Sequence, residues 1–408
     1  MRLRVVLLLL LLAPLVGAGW LIVQLGIADA RAPLDPERAL QRWPKHRQAR
    51  VDLLQSLAVT PEQAPRIQAE ARALLANSPL AGNAYRALAQ VAEIRRDGRR
   101  IVPLYTVASR RAPRDRAPHA WLANHHALRG EFVQALFHVD QLLRLAPNTY
   151  LEMQPTLEAF AAIPEARVPL LRLLGEQAPP WRTNFLRAFS TAASAAPVLS
   201  DVFSPLRAAP VPLDATERAF WIDRLLQESR AGEAYFVWID GLSPERRAVI
   251  GNVYDGGFEL MPENRGFGWI IGNVAGATVR QEPMAGMSGQ QALVIDFHDR
   301  RVPFEHVRQR LALPAGNFMF SGRARLDGIR NERGLQWVIR CDSGSEIAAS
   351  KPFTGSSNWR SFDIAFTRPP QSCNGQTLIL RLDARIAPEQ MIGGRIAFDD
   401  LRIVAEKH

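Results

Sequence analysis

The residues of this chain whose types and spacing could do chemistry are mostly basic. Arg323, Arg325, Arg340, Arg381 and Arg385 occupy C-terminal segments in which polar and apolar residues alternate. They fall on the faces opposite Phe318, Phe320, Leu326, Leu335, Trp337, Ile339, Leu378, Leu380 and Leu382. Planar guanidinium forks grip carboxylates in pairs, so arginines along one sheet's outer surface would suit an acidic polysaccharide. A plain solvated sheet face is the alternative. Trp359 and Phe267 stand in turn-rich surroundings, where a ring stacks on a sugar or packs at a rim. His125, His126 and His138 lie on adjacent helical stretches and could meet, as a metal site or as packing. Asp296, His298 and Asp299 in "VIDFHDRR" form a polar cluster at a strand end.

Catalytic arrangements are missing from this inventory. There is no Gly-x-Ser-x-Gly elbow, His-Glu-x-x-His pair, phosphate loop or Cys placed as a nucleophile. A glycosidase needs two carboxylates about 5–10 Å apart across a cleft, and no pair stands in a cleft-forming context. The expectation is a non-catalytic protein; a polysaccharide-modifying enzyme is the alternative.

The elements that must position these residues come in three parts. At 408 residues the chain exceeds the roughly 250–300 at which single cores stop growing, so two or more units are expected. Arg2 and Arg4 precede the uncharged apolar run Val5 to Ala28, long enough for the ~20 residues of a spanning helix. Residues 1–31 are therefore expected to be a signal anchor in a bacterial inner membrane, with the bulk of the chain in the periplasm. Cleavage after Ala30 is the alternative, leaving a soluble periplasmic protein. In an exported domain Cys341 and Cys373 are expected to form one disulfide rather than two buried thiols. The net charge of +10 comes almost wholly from arginine, with lysine only at 45, 351 and 407. No nucleic-acid-reading element accompanies it, so nucleic acid is not an expected partner.

Residues 35–249 read as helical. Pro79, Pro113 and Pro147 recur every 34 residues, the period of the tetratricopeptide repeat. The stretch "HAWLANHHALRGEFVQALFHVDQLLRLAP" resembles that repeat, with Leu122, Ala123, Gly130, Phe132, Ala135 and Pro147 on its signature positions. The unit before it keeps Tyr85, Leu88, Tyr105, Ala108 and Pro113 but has Ile101 where a small residue belongs. The resemblance implies an alpha-solenoid of stacked helical hairpins whose groove takes a protein partner; a bare spacer is the alternative.

Residues 251–408 change period from 3.6 to 2, with turns such as "PAGN", "DSGS" and "TGSSN" between short strands, which predicts an antiparallel beta-sandwich or jelly roll. The opening "NVYDGGFE", the central "LPAGNFMFSGRARL", "NWRSFDIAFTRP" and the closing "GGRIAFDDLRI" together resemble the beta-jelly-roll carbohydrate-binding modules. The resemblance implies glycan binding without catalysis. It also implies a structural calcium near Glu259 and Asp400, with Asp399 in reserve, since calcium takes several hard oxygens. Alternatively, Glu259 caps backbone amides and the two aspartates are turn residues. A first strand at the opening motif is expected to pair with the last. The whole then reads as a membrane-anchored scaffold for cell-surface polysaccharide assembly or export, or as a structural subunit whose jelly roll docks on another protein.

Overall fold

The computed structural model describes residues 16–27, 29–30 and 32–406. The expected anchor, 1–31, therefore lies largely outside the described residues. Its described stretch 16–27 is helical (α1) and exposes Val16, Trp20, Ile22 and Val23. Among the described residues no helix is long and apolar enough to cross a membrane.

The chain divides into two compact units, Met1–Phe185 and Leu186–His408. The first is helical. After α2 (Pro36–Arg42), α3 (Arg47–Ser56) and α4 (Ala64–Asn77) come two successive hairpins, α5 (Gly82–Ile94) with α6 (Gly98–Arg111) and α7 (Arg116–Leu128) with α8 (Phe132–Leu145). Next follow α9 (Tyr150–Ala162), α10 (Pro164–Gln177) and α11 (Arg182–Thr191), which contains the boundary. The hairpins expected between Pro79 and Pro147 are thus present, and Leu122 and Ala135 are fully buried. Gly82 is required by close approach, since a Cβ there would lie 2.6 Å from the Ala112 backbone nitrogen. Glu93 ties the two hairpins together. Its carboxylate accepts from Tyr105 Oη and Trp121 Nε1, whose rings stack at 4.5 Å. Such a charged acceptor held by buried donors fixes the register between neighbouring pairs.

The second unit opens with α12 (Leu199–Arg207), α13 (Ala215–Gln227), α14 (Ala231–Asp240) and α15 (Pro244–Ala248). Its ten strands are β1 (Ile270–Ile271), β2 (Ala277–Glu282), β3 (Ala292–Arg301), β4 (Val307–Leu311), β5 (Gly316–Arg330), β6 (Leu335–Cys341), β7 (Glu346–Ala349), β8 (Gly355–Arg368), β9 (Gln376–Leu382) and β10 (Met391–Ala405). They form two five-stranded antiparallel sheets, β1-β4-β9-β6-β7 and β2-β3-β10-β5-β8. The expected sandwich is what the alternation builds: Phe320, Trp337, Leu380 and Phe398 are all fully buried in one core. Cys341 and Cys373 are joined in a disulfide.

The compact units divide within α11, whereas the change of period in the sequence falls at 249–251. Helices α12–α15 belong with the sandwich, because Tyr235 packs edge-on against Phe267 at 5.1 Å and Trp238 against Tyr254 at 4.9 Å. A change of period marks a change of secondary structure, not of core. The opening motif also differs from expectation. It lies along β10 without becoming a strand: Leu401 N donates to Gly256 O at 2.9 Å, and Asn252 Nδ2 to Ile403 O at 3.0 Å. A Cβ on Gly256 would stand 1.8 Å from Leu401 O, so only glycine permits this approach.

Candidate functional site

On β5 the side chains of Phe318, Phe320, Ala324 and Leu326 enter the core, which turns Arg323 and Arg325 outward. Ser361 of β8 pairs with Arg323, and Trp359 lies two residues earlier on the same face. The guanidinium of Arg323 stands 5.2 Å from the centroid of the Trp359 ring, within cation–π range. Segment 283–291, between β2 and β3, crosses this face and fastens all three side chains. Ala285 O accepts from Trp359 Nε1 at 2.9 Å and from Arg325 at 3.3 Å, while Gly286 O accepts from Arg323 at 2.7 Å. Gly286 has φ +82°, and a Cβ on it would lie 3.0 Å from Trp359 Cδ1. Three of the candidate residues thus meet beneath one loop.

The same loop is held at its other end by the carboxylates expected near a cation. Ser288 N donates to Asp399 at 2.6 Å and Ser288 Oγ to Asp400 at 2.6 Å; Gln290 N donates to Glu259 at 2.8 Å. Asp399 also accepts from the Asp400 amide at 2.7 Å, and its burial raises its pKa. Asp255 is a site residue that sequence reasoning passed over. It is buried, its pKa is raised chiefly by that burial, and its carboxylate accepts from the amides of Glu259 and Leu260 at 2.9 and 3.0 Å. An aspartate immediately before Gly-Gly is the available signal, since such side chains bond forward to nearby amides. Among the described residues no group of three or more His, Cys, Asp or Glu is placed to hold a metal ion.

The sandwich is similar to carbohydrate-binding modules of known structure. A family 4 module matches at 17% identity and a TM-score of 0.30, covering 38% of this chain and 99% of that one. The xylan-degrading enzyme 10B of Clostridium thermocellum, solved as its CBM22-1 and GH10 modules with xylohexaose, matches at 16% and 0.26, covering 34% of this chain and 26% of that one. A family 6 module of the Cellvibrio mixtus lichenase 5A, in complex with cellotriose, matches at 10% and 0.21, covering 35% and 98%. No protein-family model and no curated protein matches the chain.

The remaining arginines lie elsewhere. Arg340 and Arg381 belong to β6 and β9, hence to the other sheet, and share Glu346 as an ion-pair partner; Arg381 also reaches Asp383 at 3.5 Å. Arg385 is exposed in the turn after β9. The expected single basic surface is therefore divided between the outer faces of two sheets, because alternation separates inside from outside without saying which sheet a strand joins. Asp296 does not work with His298 or Asp299. It lies between Arg280 and Arg395, two arginines missed in sequence, while Asp299 pairs with Arg330 at 2.6 Å. Phe267 is buried and unavailable for stacking on a sugar.

In the helical unit an open groove of about 930 Å³ is lined by Asn83, Arg86, Arg114, Arg116, Glu152 and Met153, among others. The histidines do meet. His119 Nδ1 and His138 Nδ1 are 2.9 Å apart and both side chains are buried, while His126 stacks on His138 and bonds Glu131. Burial, and then the charges of His119 and His126, lower the pKa of His138 to about 4; burial also lowers that of His119, against the field of Asp115. Both imidazoles bind protons more weakly folded than unfolded. The contribution of His138 is complete above the ordinary value of 6.5 and is lost as pH falls toward 4, and that of His119 is lost in the same direction. The helical unit is expected to lose about 1.4 kcal/mol per pH unit for each proton withheld. Urea melts followed by helical circular dichroism at about pH 7 and about pH 5 check this: His138→Gln flattens the dependence, and a flat wild-type profile refutes it.

Proposed function

We propose that this chain is a non-catalytic, membrane-anchored periplasmic scaffold whose sandwich binds an acidic polysaccharide. Its helical hairpins, read as tetratricopeptide-like, hold a protein partner in the groove. Such a pairing serves assembly or export of a cell-surface polysaccharide. The observation that carries the glycan reading is the cluster of Trp359, Arg323 and Arg325 on one outward sheet face. An indole offers a ring-sized apolar platform. Each guanidinium has five donors, and the loop carbonyls occupy only some of them. That combination is specific for a polymer with sugar faces and carboxylates.

Calcium beside Glu259, Asp399 and Asp400 belongs to the proposal as well. These oxygens already accept amides from the 283–291 segment, so a cation would reinforce a clamp that exists rather than create one. Melting the protein with calcium and with chelator decides this part.

Affinity electrophoresis of the full chain in uronate-containing and neutral polysaccharides tests the glycan. Retardation by the acidic polymer alone is expected, declining with salt. Arg323→Ala or Trp359→Ala is expected to weaken it about tenfold or more. Arg381→Ala, on the other sheet, leaves it unchanged. No retardation of the folded protein by any glycan would remove the glycan from this reading.

A further inference from the structure

A second cavity, of about 280 Å³, lies wholly within the C-terminal unit, where α13 and α14 face the turn before β1 and strand β4. Ile222, Leu226, Trp238 and Ile270 contribute apolar lining. The indole cannot swing in to fill the space. Its edge contact with Tyr254 is 4.9 Å, and Gly266, at φ +60°, lies so close that a Cβ would be 2.5 Å from Trp238 Cδ1. The cavity is therefore held open by packing around it.

The charges on its wall are incompletely paired. Arg218 reaches Asp240 at 3.7 Å and Glu263 reaches Arg246 at 3.2 Å, partners outside the cavity. Arg265 and Arg310 meet their carboxylates, Glu263 and Asp342, only at 3.9 Å. Asp223 lines the same cavity as Arg310 and has no hydrogen bond or ion pair among the described residues; its burial raises its pKa, against the charge of Arg310. The charged side chains that line the cavity are three arginines, 218, 265 and 310, and two carboxylates, Asp223 and Glu263, which leaves one positive charge in excess. A singly charged anion neutralises it; a zwitterion leaves it, and a neutral sugar leaves Arg265 and Arg310 unanswered. The volume falls just below the roughly 300–1,000 Å³ of pockets for drug-sized ligands, so the occupant is one ring rather than an oligomer.

We propose that this cavity binds a single hexuronic acid, with its carboxylate on Arg265 and Arg310, its hydroxyls on Asp223 and its apolar ring face on Ile222 and Leu226. The site shares no residue with the Trp359 cluster and does not rest on it.

Isothermal titration of the full chain with sodium glucuronate tests the assignment, with glucose and sodium acetate as controls. Glucuronate is expected to bind, and each control, offering half of the contacts, at least about tenfold more weakly. Arg310→Met and Asp223→Asn each reduce affinity about tenfold or more. Ala219→Phe fills the cavity and abolishes binding at an undiminished melting temperature; Arg323→Ala has no effect, which separates this site from the outer face. Absence of glucuronate binding, equal binding of acetate, or binding that survives both Ala219→Phe and Arg310→Met would overturn it.

Discussion

Trp337→Ala is expected to destabilise the sandwich by about 3–5 kcal/mol, the cost of deleting a large ring from a core that cannot collapse around it. Trp337 is fully buried and touches Phe398 at 5.2 Å, Trp269 at 5.9 Å and Phe320 at 6.2 Å between ring centroids. Phe398 and Phe320 belong to the opposite sheet and Trp269 to the segment just before β1, so one cavity loosens the contact between the sheets and that segment. The indole Nε1 has no hydrogen-bond partner in this core. Trp337→Phe therefore removes an unsatisfied donor along with part of the ring. It is expected to cost much less, about 1–2 kcal/mol, because the desolvated N–H no longer weighs against the fold. Urea denaturation of the two variants, followed by tryptophan fluorescence, measures the difference. Equal losses would show that ring volume alone matters at this position.

Loss of the Cys341–Cys373 bridge is expected to cost about 3–4 kcal/mol, from the chain entropy that a closed loop removes from the unfolded state. The two cysteines are 32 residues apart in sequence, and the loop between them carries β7 and β8, hence Trp359. Both are buried, so a mild reductant without denaturant is expected to leave the bridge intact. In Cys341→Ser the unfolding free energy from urea melts falls by that amount, which lowers the midpoint, and glycan retardation disappears at temperatures where wild type still binds. A variant with an unchanged midpoint would mean that the reduced, unfolded chain retains enough structure to make the crosslink redundant. The effect also bears on compartment, since a sandwich that depends on this bridge persists where disulfides persist.

Much of the architecture was legible in local pattern. Periods of 3.6 and 2 separated helices from strands near residue 250, because burial on one face imposes a period whatever the partner. The same alternation put Trp337 inside and Arg323 outside. Two cysteines in one domain left a single pairing to form. Glu259, Asp399 and Asp400 were expected beside a calcium, with amide capping by Glu259 as the alternative; each accepts a hydrogen bond from the 283–291 segment.

What tertiary structure alone decided concerns which distant pieces share a surface. Strand order β2-β3-β10-β5-β8 puts β10 between β3 and β5, and no local period encodes that neighbourhood. Hence Arg323 and Arg325 meet Trp359 while Arg340 and Arg381 lie on the other sheet, although all four are outward residues by the same rule. Phe267 was turned inward by Tyr235, from a helix that sequence assigned to another domain. The cavity beside Trp238 likewise depends on α13, α14 and β4 converging. The physical reason is the same in each case: backbone periodicity is set by bonds between near neighbours in the chain, whereas a binding surface is set by side-chain packing between elements that the chain brings together only on folding.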